Sequence, residues 1–311
     1  WTSERPYVVY GYALINSYGT LVIEEGTQVH FHNGGGLWAY SEGQLRVEGT
    51  AENPVVFQGD RLELGFTDNP GQWDRIWLME AREGHGHSIR NAIIKNGFIG
   101  IQAQCFQKAN RAFLDIHNTI IDNHTGIGIY TNLYNLKASN FVVSNCGNYA
   151  VALTGGGQYI FDQGTIANYW NKSTRTTPSL FFNNAYQNPF DGNLYAYDFV
   201  FEMNNCIMYG NQEEEFNTEF SPGPDTTYTF NNSIIKTKRV DNDTNYIECL
   251  FNTDPKFVNK AFDYHLDSLS PAIGIGNPKY STGVLQYDLD GVARGNKPDA
   301  GAYQYVPIVE E

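Results

Sequence analysis

Charge is scarce in this chain. Asp, Glu, Lys and Arg supply only 17% of its 311 residues, and 20 basic side chains face 34 acidic ones. A net charge of −14 leaves no basic face for gripping a nucleic-acid backbone, and the short KTKR at 236–239 is too small to supply one. The same imbalance argues against a polyanion held along its whole length. Long apolar runs are also missing, and none approaches the ~18 residues that a bilayer-spanning helix needs. The opening WTSERPYVVYGY has neither the basic segment nor the apolar core of a signal peptide, as a chain relieved of its leader or a cytoplasmic protein would read. Helix-building runs of Ala, Leu, Glu and Lys are absent. Cysteine is limited to Cys105, Cys146, Cys206 and Cys249, without CxxC spacing or nearby His pairs, which excludes an ordinary zinc site. These four read as small buried hydrophobes with free thiols, and paired disulfides are the alternative in an exported protein.

What remains is a composition of short strands and tight turns: 41% hydrophobic residues rich in Ile, Val and Phe, with abundant Asn, Gly and Thr. A chain of this length is long for one globular core and ordinary for a solenoid, which grows without thickening. The stretches NAIIKNGFIGI at 91–101 and NTIIDNHTGIGI at 118–129 are near copies. The template Asn, any, aliphatic, aliphatic, any, Asn fits at 91–96, 118–123 and 140–145, with weaker copies at 163–168, 205–210 and 232–237. Successive starts are 27, 22, 23, 42 and 27 residues apart, and GTLVIEEGT at 19–27 answers GQLRVEGT at 43–50. A period in the twenties suits one superhelical turn of short strands. Stacked turns bring like residues into columns ~4.8 Å apart. Ile and Val fill the inner column, and Asn, which tolerates a left-handed backbone, forms corner ladders linked by its amides. The fifth position, beginning with Lys95 and Asp122 as lateral neighbours of opposite charge, reads as a solvent-facing column. The fold is therefore expected to be all-β, a right-handed parallel β-helix spanning 1–311 as one domain. The 42-residue gap points to an aromatic-rich insertion within 169–204, and GDRLELGFTDNPGQWDR at 59–75 is a second excursion.

Two segments carry a family resemblance. GTLVIEEGTQVHFHNGGGLWAYSEGQLRVEGTAENPVVFQGDR with the later PGQWDRIWL resembles the opening turns of surface β-helix lipoproteins of Bacteroides-type bacteria. The tail, DPKF followed by YHLDSLSPAIGIGNP and YDLDGVARGNKPDAGAYQY, resembles the closing segment of exported bacterial β-helix proteins and delimits such a segment at 254–305. The resemblance implies the pectin-lyase-like superfamily, an outer-membrane surface or periplasmic location with a lipid anchor upstream, and a polysaccharide or glycoconjugate partner. Activity is not implied, because that superfamily includes lyases, hydrolases, adhesins and tailspikes.

The chemistry-bearing residues form no complete catalytic set. EGHGHSIRN at 83–91 contains the Gly-His-Gly of pectin hydrolases, but Asn252-Thr253-Asp254 comes after it, and the Asp-Asp and Arg-Ile-Lys of those enzymes are missing. His85 and His87 therefore read as loop residues. A lyase would need a base and a cation to neutralise a uronate. Lys95, Asp122, His124 and His117 are the catalytic candidates, with Arg90, Lys172, Arg175 and Tyr130 eligible by type alone. DNDTN at 241–245 offers Asp241 and Asp243 as calcium-type oxygens but lacks the Gly and closing Glu of a calcium loop, so a solvated turn and no cofactor are expected, with Ca²⁺ as the alternative. DLDG at 288–291 with Arg294 and Asp299 reads as a turn braced by an ion pair. Rings of the insertion suit sugar faces, and Tyr169, Trp170, Lys172 and Tyr186 are the binding candidates. The preferred function is non-catalytic glycan or ligand binding. The alternatives are a polysaccharide lyase or glycoside hydrolase working in a groove on the stacked sheet, and a structural spacer or adhesin stalk.

Overall fold

The computed structural model describes residues 1–106, 112–238 and 243–307. The chain winds as a parallel β-helix. Each coil contributes strands to two large parallel sheets, of 16 and 8 strands. The smaller runs in strict coil order from Tyr12–Ile15 through Ile101–Gln104 and Ile129–Asn132 to Phe216–Glu219. In the larger, the strands His87–Lys95, Phe113–His124 and Asn135–Cys146 pair in parallel and turn a corner in mid-strand. The corner residue is the first Asn of the repeat.

Backbone angles explain why that position is so constrained. Asn91, Asn118, Asn140, Gln163, Asn205 and Asn232 all have φ between 46° and 54°, the left-handed region that Asn enters at least cost, and Glu248 continues the column. Asn96, Asn123 and Asn145 form a second left-handed column. The amides link neighbouring coils: Asn118 Nδ2 donates to Asn91 Oδ1 at 3.1 Å, and Asn123 Nδ2 to Asn96 Oδ1 at 2.7 Å. Between the corners, Ile94, Ile121, Val143, Ile166, Met208 and Ile235 stack in register and are fully buried. None of the four cysteines forms a disulfide, and three of them are buried.

The fifth-position column departs from expectation. Lys95 and Asp122 are half-buried, but Ser144, Ala167 and Tyr209 are buried. Their cover is the C-terminal segment, which leaves the coil near Phe257 and lies along its outer wall. Phe257, Tyr264, Leu266, Ala272, Ala300, Ala302 and Tyr303 pack there on Val142, Ala167, Ile207, Tyr209 and Ile234. This arm also takes over the first Asn column. Asn140 Nδ2 donates to Tyr287 O, Gln163 Nε2 to Ser281 Oγ, and Asn205 Nδ2 to Asn277 O. The ladder stops there, and Asn118 Oδ1 is buried without the donor that Asn140 would have supplied. The turn at 288–291 is braced differently from the expected ion pair. Asp288 Oδ1 accepts from the N–H groups of Asp290 and Val292, and buried Arg294 donates to Asn140 Oδ1 and Ala302 O.

Candidate functional site

Where the second Asn column meets the uncovered end of the fifth-position column, three excursions of the chain enclose a groove of about 400 Å³. Lys95, Asn96, Asp122, Asn123 and Asn145 line it from the coils, Asp68 from the first excursion, Tyr169, Trp170, Asn171 and Lys172 from the second, and Ala261 and Phe262 from the C-terminal arm. The excursions are fastened to the ladder they flank. Asn96 Nδ2 donates to Thr67 O at 2.6 Å, Asn123 Nδ2 to Asp68 O at 2.8 Å, and Asn145 Nδ2 to Ala261 O at 2.9 Å.

Asp122 is a perturbed carboxylate on this surface. Burial raises its carboxyl above the ordinary Asp range, against hydrogen bonds from Ser144 and Asn145 and the charge of Lys95. Oδ1 accepts from Ser144 Oγ at 2.6 Å and Asn145 Nδ2 at 2.9 Å. Lys95 is its register partner on the preceding coil, yet no contact of ion-pair length joins them, and Oδ1 accepts from the following coil instead. The Lys95 ammonium has no hydrogen-bond or ion-pair partner among the described residues. The pair is thus a juxtaposition of two charges rather than the closed surface ion pair the sequence suggests.

The 42-residue interval resolves into two excursions separated by a regular strand, Leu180–Asn183. The first, 169–179, reaches the groove and is pinned at its base by Arg175 and Glu215. These two are 1% and 0% exposed, with Nη2 2.7 Å from Oε1 and Nη1 2.9 Å from Oε2, and Glu215 also accepts from Ser179 Oγ at 2.6 Å. Trp170 is largely buried over Gly147, donates its indole N–H to Ser173 Oγ, and shows the groove only part of its ring. Tyr169 meets Phe257 edge-on, and its buried hydroxyl has no hydrogen-bond partner among the described residues. Lys172 is exposed on the rim.

The other candidates lie elsewhere. His124 is fully buried, with Nδ1 accepting from Gly97 N–H and Nε2 donating to Ile94 O, and burial lowers its pKa to about 4. It is a neutral core residue that no ligand can touch. His87, expected in a loop, is likewise a core residue with its pKa lowered to about 4 by burial, bonded to Leu45 N–H and Met79 O, while His85 is exposed. His117 sits on the strand before the first corner, its Nδ1 2.9 Å from Ser139 Oγ, and is not a groove residue. Arg90 pairs with Asp115 instead of facing a ligand. Tyr186 belongs to the second excursion, where its hydroxyl donates to Phe106 O. Asp241 lies outside the described residues, and Asp243 opens a 3-10 turn, Asp243–Asn245. Among the described residues no three His, Cys, Asp or Glu side chains converge as a metal site, and no helix is long and apolar enough to cross a membrane.

Sequence reasoning missed Phe262, which sits in the closing segment 140 positions beyond Asp122 and carries no repeat signal. The corner residues Asn123 and Asn145 carry only a ladder signal in the sequence, and they line the groove as well. A scan against protein-family models matches none, and a search of curated proteins finds no match.

Proposed function

We propose that the protein binds a glycan, without turning it over, in the groove above Lys95 and Asp122. One observation carries this reading. Ladder amides, an ammonium without a partner among the described residues, a half-buried carboxylate and an exposed aromatic ring line one concave surface held by three separate segments. A hydroxyl-rich, partly apolar ligand can meet the ammonium, the carboxylate and the ring at once, as sugars do. The exported, surface or periplasmic setting belongs to the same proposal and rests on the resemblance of the two chain ends.

A second reading has a specific observation of its own. Asp122, held toward its protonated form by burial, beside an unpaired Lys95 is a combination that general acid–base chemistry can use. Calorimetric titration with neutral and uronate-containing oligosaccharides, run beside assays for new reducing or unsaturated ends, separates the two. Binding without new ends supports the binder, and turnover abolished by Asp122→Asn replaces it with the enzyme. Neither binding nor turnover would favour the structural spacer.

A further inference from the structure

The C-terminal arm brings one residue to the groove in an unusual state. Strands Phe257–Asn259 and Asp263–Leu266 form an antiparallel hairpin. Its other rings, Phe257 and Tyr264, are buried in the coil wall, whereas Phe262 at the turn is 76% exposed and lines the groove. A lone exposed ring needs no explanation by itself, but this one sits on a turn fastened from both sides. Toward the coil, Ala261 O accepts from Asn145 Nδ2. Behind the turn, His265 lies between two carboxylates, with Nδ1 2.6 Å from Asp263 Oδ1 and Nε2 2.7 Å from Asp290 Oδ2. The imidazole also stacks on Tyr303 with centroids 4.0 Å apart. Donating from both nitrogens requires the imidazolium, and the hydrogen bond to Asp290 leads the causes that raise its pKa to about 9. The clamp is therefore closed at neutral pH.

We propose that Phe262 is a ligand-stacking residue that receives the C–H face of a pyranose, and that His265, Asp263 and Asp290 act as the clamp that positions it. The inference rests on the glycan-binding reading and deepens it. A phenyl ring has no polar edge, so it selects by the shape of the sugar face. The class it takes is a pyranoside with equatorial hydroxyls and an unbroken C–H face, of the gluco or xylo configuration. Fixing the ring beforehand lowers the ordering cost of binding, which is the purpose a clamp can serve on a solvent-exposed turn. Asp267 and Asp288 line the same pocket as His265, with Asp288 committed to backbone N–H groups, and Lys260 pairs with Asp254 beside the turn.

The test is calorimetric titration of cellotetraose and xylotetraose into the full chain and into Phe262→Ala, Phe262→Trp, His265→Gln, Phe262→Ala/His265→Gln and Asp122→Asn, with melting temperatures measured throughout. Phe262→Ala should weaken binding at least tenfold with an unchanged melting temperature, and Phe262→Trp should retain it. His265→Gln should weaken it less and add nothing in the double variant, because a positioning residue acts only through the ring it positions. Wild-type affinity should fall between pH 8 and 10, and that of His265→Gln should stay flat. Binding that is lost in Asp122→Asn but unchanged in Phe262→Ala overturns this inference and leaves the groove standing. No binding of either glycan by the wild type overturns the class named here, and if other glycans also fail, the groove reading falls with it.

Discussion

Lys95 and Asp122 face each other across adjacent coils in direct strand register, and they make no ion pair. The carboxylate instead faces forward to Ser144 and Asn145. A charge that is half-buried and bonded only to neutral donors remains costly to ionise, which is why its pKa lies above the usual Asp range. For an acid whose folded pKa is raised, the native state binds the proton more tightly than the unfolded chain, so the penalty exists at neutral pH and disappears as pH falls through the folded pKa. Asp122→Asn should therefore melt at a higher temperature than wild type at pH 7–8, with the gap narrowing on acidification. Thermal melts from pH 8 down to pH 4 check it, and a gap that stays constant over that span would contradict the assignment.

The buried histidines work in the opposite direction. His87 and His124 have folded pKa values near 4 because burial disfavours their charge. Between the unfolded pKa of ~6.5 and that value the unfolded chain holds more protons, so stability present at neutral pH is lost as pH falls. Urea denaturation at steps from pH 7 to pH 4 should show this loss in wild type and a shallower slope in His124→Gln.

Corner residues should respond to backbone strain more than to the lost amide. Asn118 has φ of 48° and bonds to Asn91. Asn118→Ala should destabilise by ~1–2 kcal/mol, the usual cost of a left-handed residue with a Cβ, and Asn118→Gly by less. Denaturant midpoints at equal m-values decide, and an equal loss in both variants would shift the weight to the hydrogen bond.

The base of the first excursion predicts a larger effect. Removing Glu215 leaves Arg175 charged and buried, and breaking such a pair typically costs ~3–5 kcal/mol. Glu215→Ala should lose stability on that scale and expose 169–179 to limited proteolysis. A loss below ~1 kcal/mol would mean that water replaces the carboxylate.

How much of this was legible in the sequence follows from where each feature lies in the repeat. The coil, its inner column and its Asn corners recur, so a count of positions 91, 118 and 140 finds them. Lys95 and Asp122 were identifiable as neighbours because they occupy one column, and Tyr169, Trp170 and Lys172 because they fall where the spacing breaks. The meeting of these two groups in one groove was not readable, since it depends on how the excursion folds back over Gly147 and is pinned by Glu215. The burial of Ser144, Ala167 and Tyr209 escaped for a similar reason. Their cover comes from an arm that starts only near Phe257 and has no period of its own. His124 misled because a polar residue in a repeat can equally bond the backbone inside the coil.

Glycan-array binding by wild type and by Lys95→Ala/Asp122→Ala, with folding checked by circular dichroism, decides whether the groove holds a glycan. Binding of at least one glycan class by wild type, lost at least tenfold in the folded double variant, is the predicted result. Binding that survives the double substitution, or no glycan bound by the wild-type protein, would contradict the groove as the functional site.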